Sequence, residues 1–125
     1  MCYKDEVQRK NGDKLQRRFE EDSVPKFIQT YFINIKSKKG AINYYIAIKD
    51  LLLWLMDKKI IDKTSLKDIT PEDFYEVESE DVTLYLDNKE QSGMSPTTLE
   101  TRKNIFSSFW KYPPVYNYGF VKKNV

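Results

Sequence analysis

"AINYYIAIKDLLLWLMDKK", residues 41–59, decides how this chain folds. From Ala41 to Met56 the residues are apolar nearly all round, with Asn43, Lys49 and Asp50 as the interruptions. A helix that is apolar on most faces is surrounded by other elements. This stretch therefore reads as the central helix of an all-α domain, and the segments on either side read as what covers it.

Upstream stands "SVPKFIQTYFINIKSKKG", residues 23–40. Ser23 is a plausible N-cap and Pro25 lies close to the first helical position. Phe27, Ile28, Tyr31, Phe32 and Ile35 form a helical stripe. Lys36, Lys38 and Lys39 suit the negative end of a helix, and Gly40 is a natural stop. A helix over about 24–38 is expected here. Residues 1–23 mix charges densely and offer only Val7, Leu15 and Phe19 as large apolar groups, with a turn signal at Asn11–Asp13. They read as a mobile or loosely docked N-terminal arm.

Downstream, Thr70-Pro71-Glu72-Asp73 is an N-cap followed by proline and two acids, and Ser79-Glu80-Asp81 looks like a second helix start. An acidic third helix with Val82, Tyr85 and Leu86 on one face should end near Ser92-Gly93. "MSPTTLETRKNIFSSFWKY", residues 94–112, is the last helix, with Ser95 as N-cap and Pro96 at its first position. Leu99, Ile105, Phe106, Phe109 and Trp110 share its buried face, and Pro113-Pro114 ends it.

Composition agrees with one small helical domain. At 125 residues the chain fits a single domain. Its 32% charged and 40% hydrophobic residues mark a globular rather than a disordered chain. Four glycines and five prolines, in clusters, favour long helices over a many-turned sheet.

Chemistry is bounded as firmly. There is no histidine, which removes the commonest general acid/base and the Ser-His and Cys-His nucleophile pairs. The single cysteine, Cys2, allows no internal disulfide and no zinc site, so a reducing compartment, the cytoplasm, is expected. No glycine-rich phosphate loop, signal peptide or membrane-length apolar run is visible. No cofactor is expected.

The charges come in blocks. Residues 24–65 carry net +5, residues 66–92 net −7 and residues 93–125 net +4, whereas residues 1–23 balance to zero. Two basic blocks flank an acidic one, a distribution that can orient a domain on an anionic surface.

The order of these segments resembles the core-binding, SAM-like N-terminal domain of the tyrosine recombinases, the phage-integrase family. "INYYIAIKDLLLWL" is similar to that family's second helix, with Tyr44 and Trp54-Leu55 in place. "LKDITPEDFYEVESEDVTLYLDNK" resembles its aspartate-Ile-Thr turn and the helix ending Tyr-Leu. "GMSPTTLETRKNIFSSFWKY" resembles its final helix, and "GFVKKNV" its linker. The likeness covers about residues 24–125. The chain departs from the pattern at Gly40-Ala41, where the family often has Ser/Thr, in the longer "YEVES" segment, and at Asn124-Val125, where the linker usually runs into Asn-Pro.

The resemblance implies a small four- to five-helix orthogonal bundle over residues 24–112. Residues 113–125 would be a linker toward a catalytic domain absent from this sequence. It implies a fragment that is not itself an enzyme, because the family's nucleophilic tyrosine and its partners lie in that other domain. The implied partners are duplex DNA, the catalytic domain of the same chain and other recombinase protomers, with no membrane. Tyr31, Tyr44, Tyr45 and Tyr85 are then packing residues, and Tyr116 and Tyr118 lie in the linker.

The start of the last helix suits a phosphate: free N–H groups and the dipole, with Thr97, Thr98, Arg102 and Lys103 adding hydrogen bonds and charge. Lys36, Lys38, Lys39, Asn43 and Lys49 form a second candidate DNA patch. Two other readings compete. One is a helical protein-interaction module using the acidic third helix. The other is a carboxylate or metal enzyme built on Glu72, Asp73, Glu76, Glu78, Glu80 and Asp81, which a solvated acidic face explains more cheaply.

Overall fold

Residues 3–116 are described by the computed structural model of the chain, as six α-helices with no strand among them: α1 (Tyr3–Asp22), α2 (Lys26–Ile33), α3 (Lys38–Asp57), α4 (Pro71–Tyr75), α5 (Ser79–Gln91) and α6 (Pro96–Trp110). Single 3-10 turns lie at Leu66–Asp68 and Pro113–Val115. The all-α expectation holds. Helix α3 is the hub, with α1, α2, α5 and α6 each packed on it. It buries Ala41, Ile42, Tyr45, Ala47, Ile48, Leu51, Leu52 and Leu55. Its cover is incomplete, because Ile46 stays 41% and Leu53 45% exposed on one remaining face.

Aromatic residues fill the space between the helices. Phe19, Phe32 and Tyr45 meet where α1, α2 and α3 converge, and Phe74, Phe109 and Trp110 meet where α4 lies beside α6. Most of these rings meet edge to face, the arrangement that their quadrupoles favour.

Several helix ends fall where local chemistry put them. Ser95 accepts from Thr98 N at 3.3 Å, with Pro96 as the first helical residue of α6. Asp73 Oδ2 accepts from Thr70 N at 2.8 Å at the start of α4, and Asp81 Oδ2 from Glu78 N at 2.8 Å at the start of α5. The acidic segment is thus two helices, as its two start signals suggest.

Three expectations need correction. First, α2 ends at Ile33, and Gly40 is not its stop. Gly40 lies in the first turn of α3, where its N–H donates to the Ser37 hydroxyl at 3.1 Å. Lys38 begins α3, yet its Nζ reaches back to the carbonyls of Ile33 and Ile35 at 2.6 and 3.2 Å. Ser37 is therefore the N-cap of the central helix.

Second, residues 3–22 form one helix that continues through Asn11-Gly12-Asp13, and its C-terminal half is docked on α3 rather than loosely held. Leu15 and Phe19 are both buried, and burial of side chains this size contributes about 1.5–3 kcal/mol each. Gln8 adds polar ties to the α2–α3 connection, donating to Lys36 O and accepting from Lys38 N.

Third, Pro113–Val115 does not lead straight away from the helices. It turns back beside α4 and α6, with Val115 fully buried and Tyr75 Oη donating to Pro114 O at 3.1 Å. Tyr116 is exposed at its end. Cys2, Tyr118 and the "GFVKKNV" segment lie outside the described residues.

Candidate nucleic-acid interface

The sequence-derived residues separate into those that the fold gathers and those that it does not. Asn43 and Ile46 of α3 face Thr97, Thr98 and Arg102 of α6 across a groove of about 370 Å³. A second groove, of about 400 Å³, shares Ile46 and Arg102 and adds Arg18, Lys49, Asp50 and Lys89. The two are therefore contiguous, and four cations from four helices line the second.

At the α6 end, capping and exposure coexist. The Ser95 and Thr98 hydroxyls are 2.9 Å apart, so Thr98 belongs to the cap as well as to the groove. Thr101 Oγ1 donates to Thr97 O at 3.0 Å. The Thr97 hydroxyl and the Asn43 amide make no hydrogen bond among the described residues, and both side chains are exposed.

Arg102 is held from beneath. Its Nη1 donates to Asp50 Oδ2 at 2.9 Å and to the Tyr85 hydroxyl, and Tyr85 donates to the same carboxylate oxygen. Lys89 completes the cluster at 3.2 Å from Asp50 Oδ2 and lies over the Tyr85 ring. Burial acts to raise the Asp50 carboxyl, but the Tyr85 hydrogen bond and the charges of Lys89 and Arg102 outweigh it and leave it below its ordinary value. Burial, then the hydrogen bond to Asp50 and its charge, push the Tyr85 hydroxyl upward. The cluster thus keeps Asp50 ionised and Tyr85 protonated near neutral pH. Two cations against one carboxylate leave a positive surplus at the groove.

Lys49 is tied similarly on the other flank of α3, 2.9 Å from Asp22 Oδ2, which also accepts from Tyr45. The remaining lysines scatter. Lys36 is exposed in the α2–α3 connection, and Lys38 is committed to the end of α2. Lys39 is exposed one turn before Asn43, on the same side of α3 by helical register. Lys103 is exposed but falls about 100° further round α6 than Arg102, away from the groove side.

Arg18 and Lys89 are the groove cations that sequence reasoning missed. Lys89 sits in the most acidic block and Arg18 in a block of zero net charge, so block sums hide both. Helical register was the available signal, because each lies one turn from an apolar residue that faces the core: Arg18 beside Leu15 and Lys89 beside Tyr85.

No group of three or more His, Cys, Asp or Glu residues suited to a metal ion occurs among the described residues. No helix among them is long and apolar enough to cross a membrane. Comparison with protein-family models, with curated proteins and with solved structures finds no match for this chain.

Proposed function

We propose that this domain binds duplex DNA through its phosphates, as the core-binding half of the clamp that a tyrosine recombinase closes on its site. The observation that carries the DNA reading is the contiguous pair of grooves in which Asn43, Thr97 and Thr98 adjoin Arg18, Lys49, Lys89 and Arg102. Hydroxyls, an amide and cations are the side chains that phosphate oxygens accept from. The recombinase part rests on the resemblance of residues 24–125 and on its helix order. In that role the chain positions DNA and leaves strand cleavage to a separate domain. Phosphate contacts carry little sequence information, so intrinsic specificity is weak.

The test is fluorescence anisotropy of the chain with a generic duplex of about three helical turns over a salt series. A log-log slope of about −3 to −5 is expected, one unit for each phosphate neutralised or slightly less. Lys89→Gln with Arg102→Gln should flatten it by about 2 while circular dichroism stays helical. Absence of binding at 50 mM salt sinks the reading.

The interaction-module alternative has its own observation. Leu84, 57% exposed on α5, lines a groove with Trp54, Ile60, Lys58 and Asp87. Self-association abolished by Leu84→Asp, in a chain that ignores DNA, would favour it.

A further inference from the structure

The zero net charge of residues 1–23 conceals a sorting of charges by helix face. Along α1, Lys10, Lys14, Arg17 and Arg18 fall at i, i+4, i+7 and i+8, an arc of about 100° that runs from beside the docked Leu15–Phe19 face at Arg18 round to the solvent side at Arg17, with Glu21 inside it. Arg9, Asp13 and Glu20 occupy the other flank. Docking therefore fixes which way the basic flank points. Lys14, Arg17 and Arg18 line a groove of about 270 Å³ with Glu21 as its one acid. Arg18 also lines the groove that holds Lys49, Lys89 and Arg102. Arg18 thus links the α1 groove to the pair between α3 and α6.

Two further observations set this flank apart from an ordinary solvated face. Arg18 Nε is buried and has no hydrogen-bond partner among the described residues, a donor left without an acceptor at the junction of the grooves. Lys10, Lys14 and Arg17 are exposed and make no side-chain hydrogen bond or ion pair among the described residues, although acids abound on the same helix.

We infer that α1 is a second phosphate-binding rail, which extends the DNA contact of the α3–α6 groove along the same strand or onto the facing one. Its occupant is the sugar–phosphate backbone of duplex DNA, so the inference rests on the DNA-binding reading above. Lys10 to Arg17 spans about 10 Å at 1.5 Å per residue. That matches the rise of about three base pairs at 3.4 Å each, enough for two or three phosphates. Glu21 and, one turn before Lys10, Glu6 are the acids of α1 that share this arc; Asp22 and Asp50 lie at its groove end, where Asp22 is already engaged by Tyr45 and Lys49.

The test compares two double variants of the whole chain that each remove two positive charges. Lys14→Gln/Arg17→Gln removes them from the rail. Arg9→Gln/Lys67→Gln removes them from exposed positions off it. All four side chains are exposed, so circular dichroism and thermal melts should match those of the unaltered chain. With the same duplex and salt series, the rail variant should lower the salt slope by about 2 and weaken binding at 50 mM salt by about tenfold or more, with less than half that change in the control. Equal changes in both, or none in either, overturn the rail and leave the α3–α6 groove standing on its own Lys89/Arg102 test. A chain that binds no duplex at all overturns both. Binding to single-stranded RNA or to an acidic peptide with duplex ignored overturns the proposed occupant.

Discussion

Two tyrosine–aspartate pairs flank α3, and they differ in what completes them. On one side Tyr45 of α3 donates to Asp22 of α1, and Lys49 closes the pair. On the other side the roles are exchanged: Asp50 of α3 accepts from Tyr85 of α5, and two cations, Lys89 and Arg102, join. The first pair staples one helix to the hub. The second staples two, and it leaves one positive charge in excess over a groove. Exposure runs the other way, with Arg102 16% exposed and Lys49 33%, so it is the surplus charge and not accessibility that sets the second site apart. The same chemistry is therefore closer to a fastener in one place and closer to a binding surface in the other.

The largest effect should come from removing the aromatic floor under each pair. Phe19 touches Tyr45, and Phe106 touches Tyr85. Either residue changed to alanine should cost about 3–5 kcal/mol in urea unfolding. A cost for Phe19→Ala below about 1 kcal/mol would mean that α1 is not part of the cooperative unit, and the comparison would collapse to one pair.

Next come the carboxylates. Asp50→Ala removes the carboxylate that Arg102, Lys89 and the Tyr85 hydroxyl share, at a cost of roughly 2–3 kcal/mol. Asp22→Ala leaves Lys49 free to turn to solvent and takes the acceptor from the Tyr45 hydroxyl alone, at roughly 1–2 kcal/mol. Equal shifts in the two urea midpoints would erase the distinction between the sites.

The smallest effect is the pH dependence. Burial acts to raise Asp22 and Asp50, but their hydrogen bonds and cations leave both below the ordinary 3.8. A lowered folded-state value contributes stability above the unfolded-state pKa, and that stability is lost as pH falls through the folded one. Thermal midpoints should therefore drop below about pH 4, and less steeply in Asp50→Asn. Tyr45 and Tyr85 are shifted the other way, upward from 10.0, first by burial and then by their aspartates. Stability should fall again as pH rises above 10, because the unfolded tyrosines ionise first. A flat acid limb would mean that neither carboxylate is paired in solution.

Local signals were legible wherever one reading dominated. Ser95-Pro96 and Thr70-Pro71 gave helix starts that the structure retains, because a cap and its proline act within one turn. At Ser37–Gly40 two local signals competed, a glycine stop and a serine cap, and the Ser37–Gly40 hydrogen bond decided for the cap. Helix α1 was hidden because Leu15 and Phe19 alone seemed too little to bury, and Gly12 argued for a turn. What holds it is the α3 surface, which no window around residue 15 contains. The candidate site was half legible. Asn43, Thr97, Thr98 and Arg102 do meet, whereas Lys38 proved to be a helix-end donor and Arg18 and Lys89 went unseen.

The sequence by itself determined the helical class, the central place of residues 41–59 and most helix boundaries. Periodicity and capping act over one to four residues, so they can be read along the chain. Only the tertiary structure decided which charges meet. Arg102 and Asp50 stand 52 positions apart, Tyr85 and Asp50 35, and Lys49 and Asp22 27. Whether a cation is spent inside or left facing outward depends on which helix the core places beside it, and that is set by packing around α3.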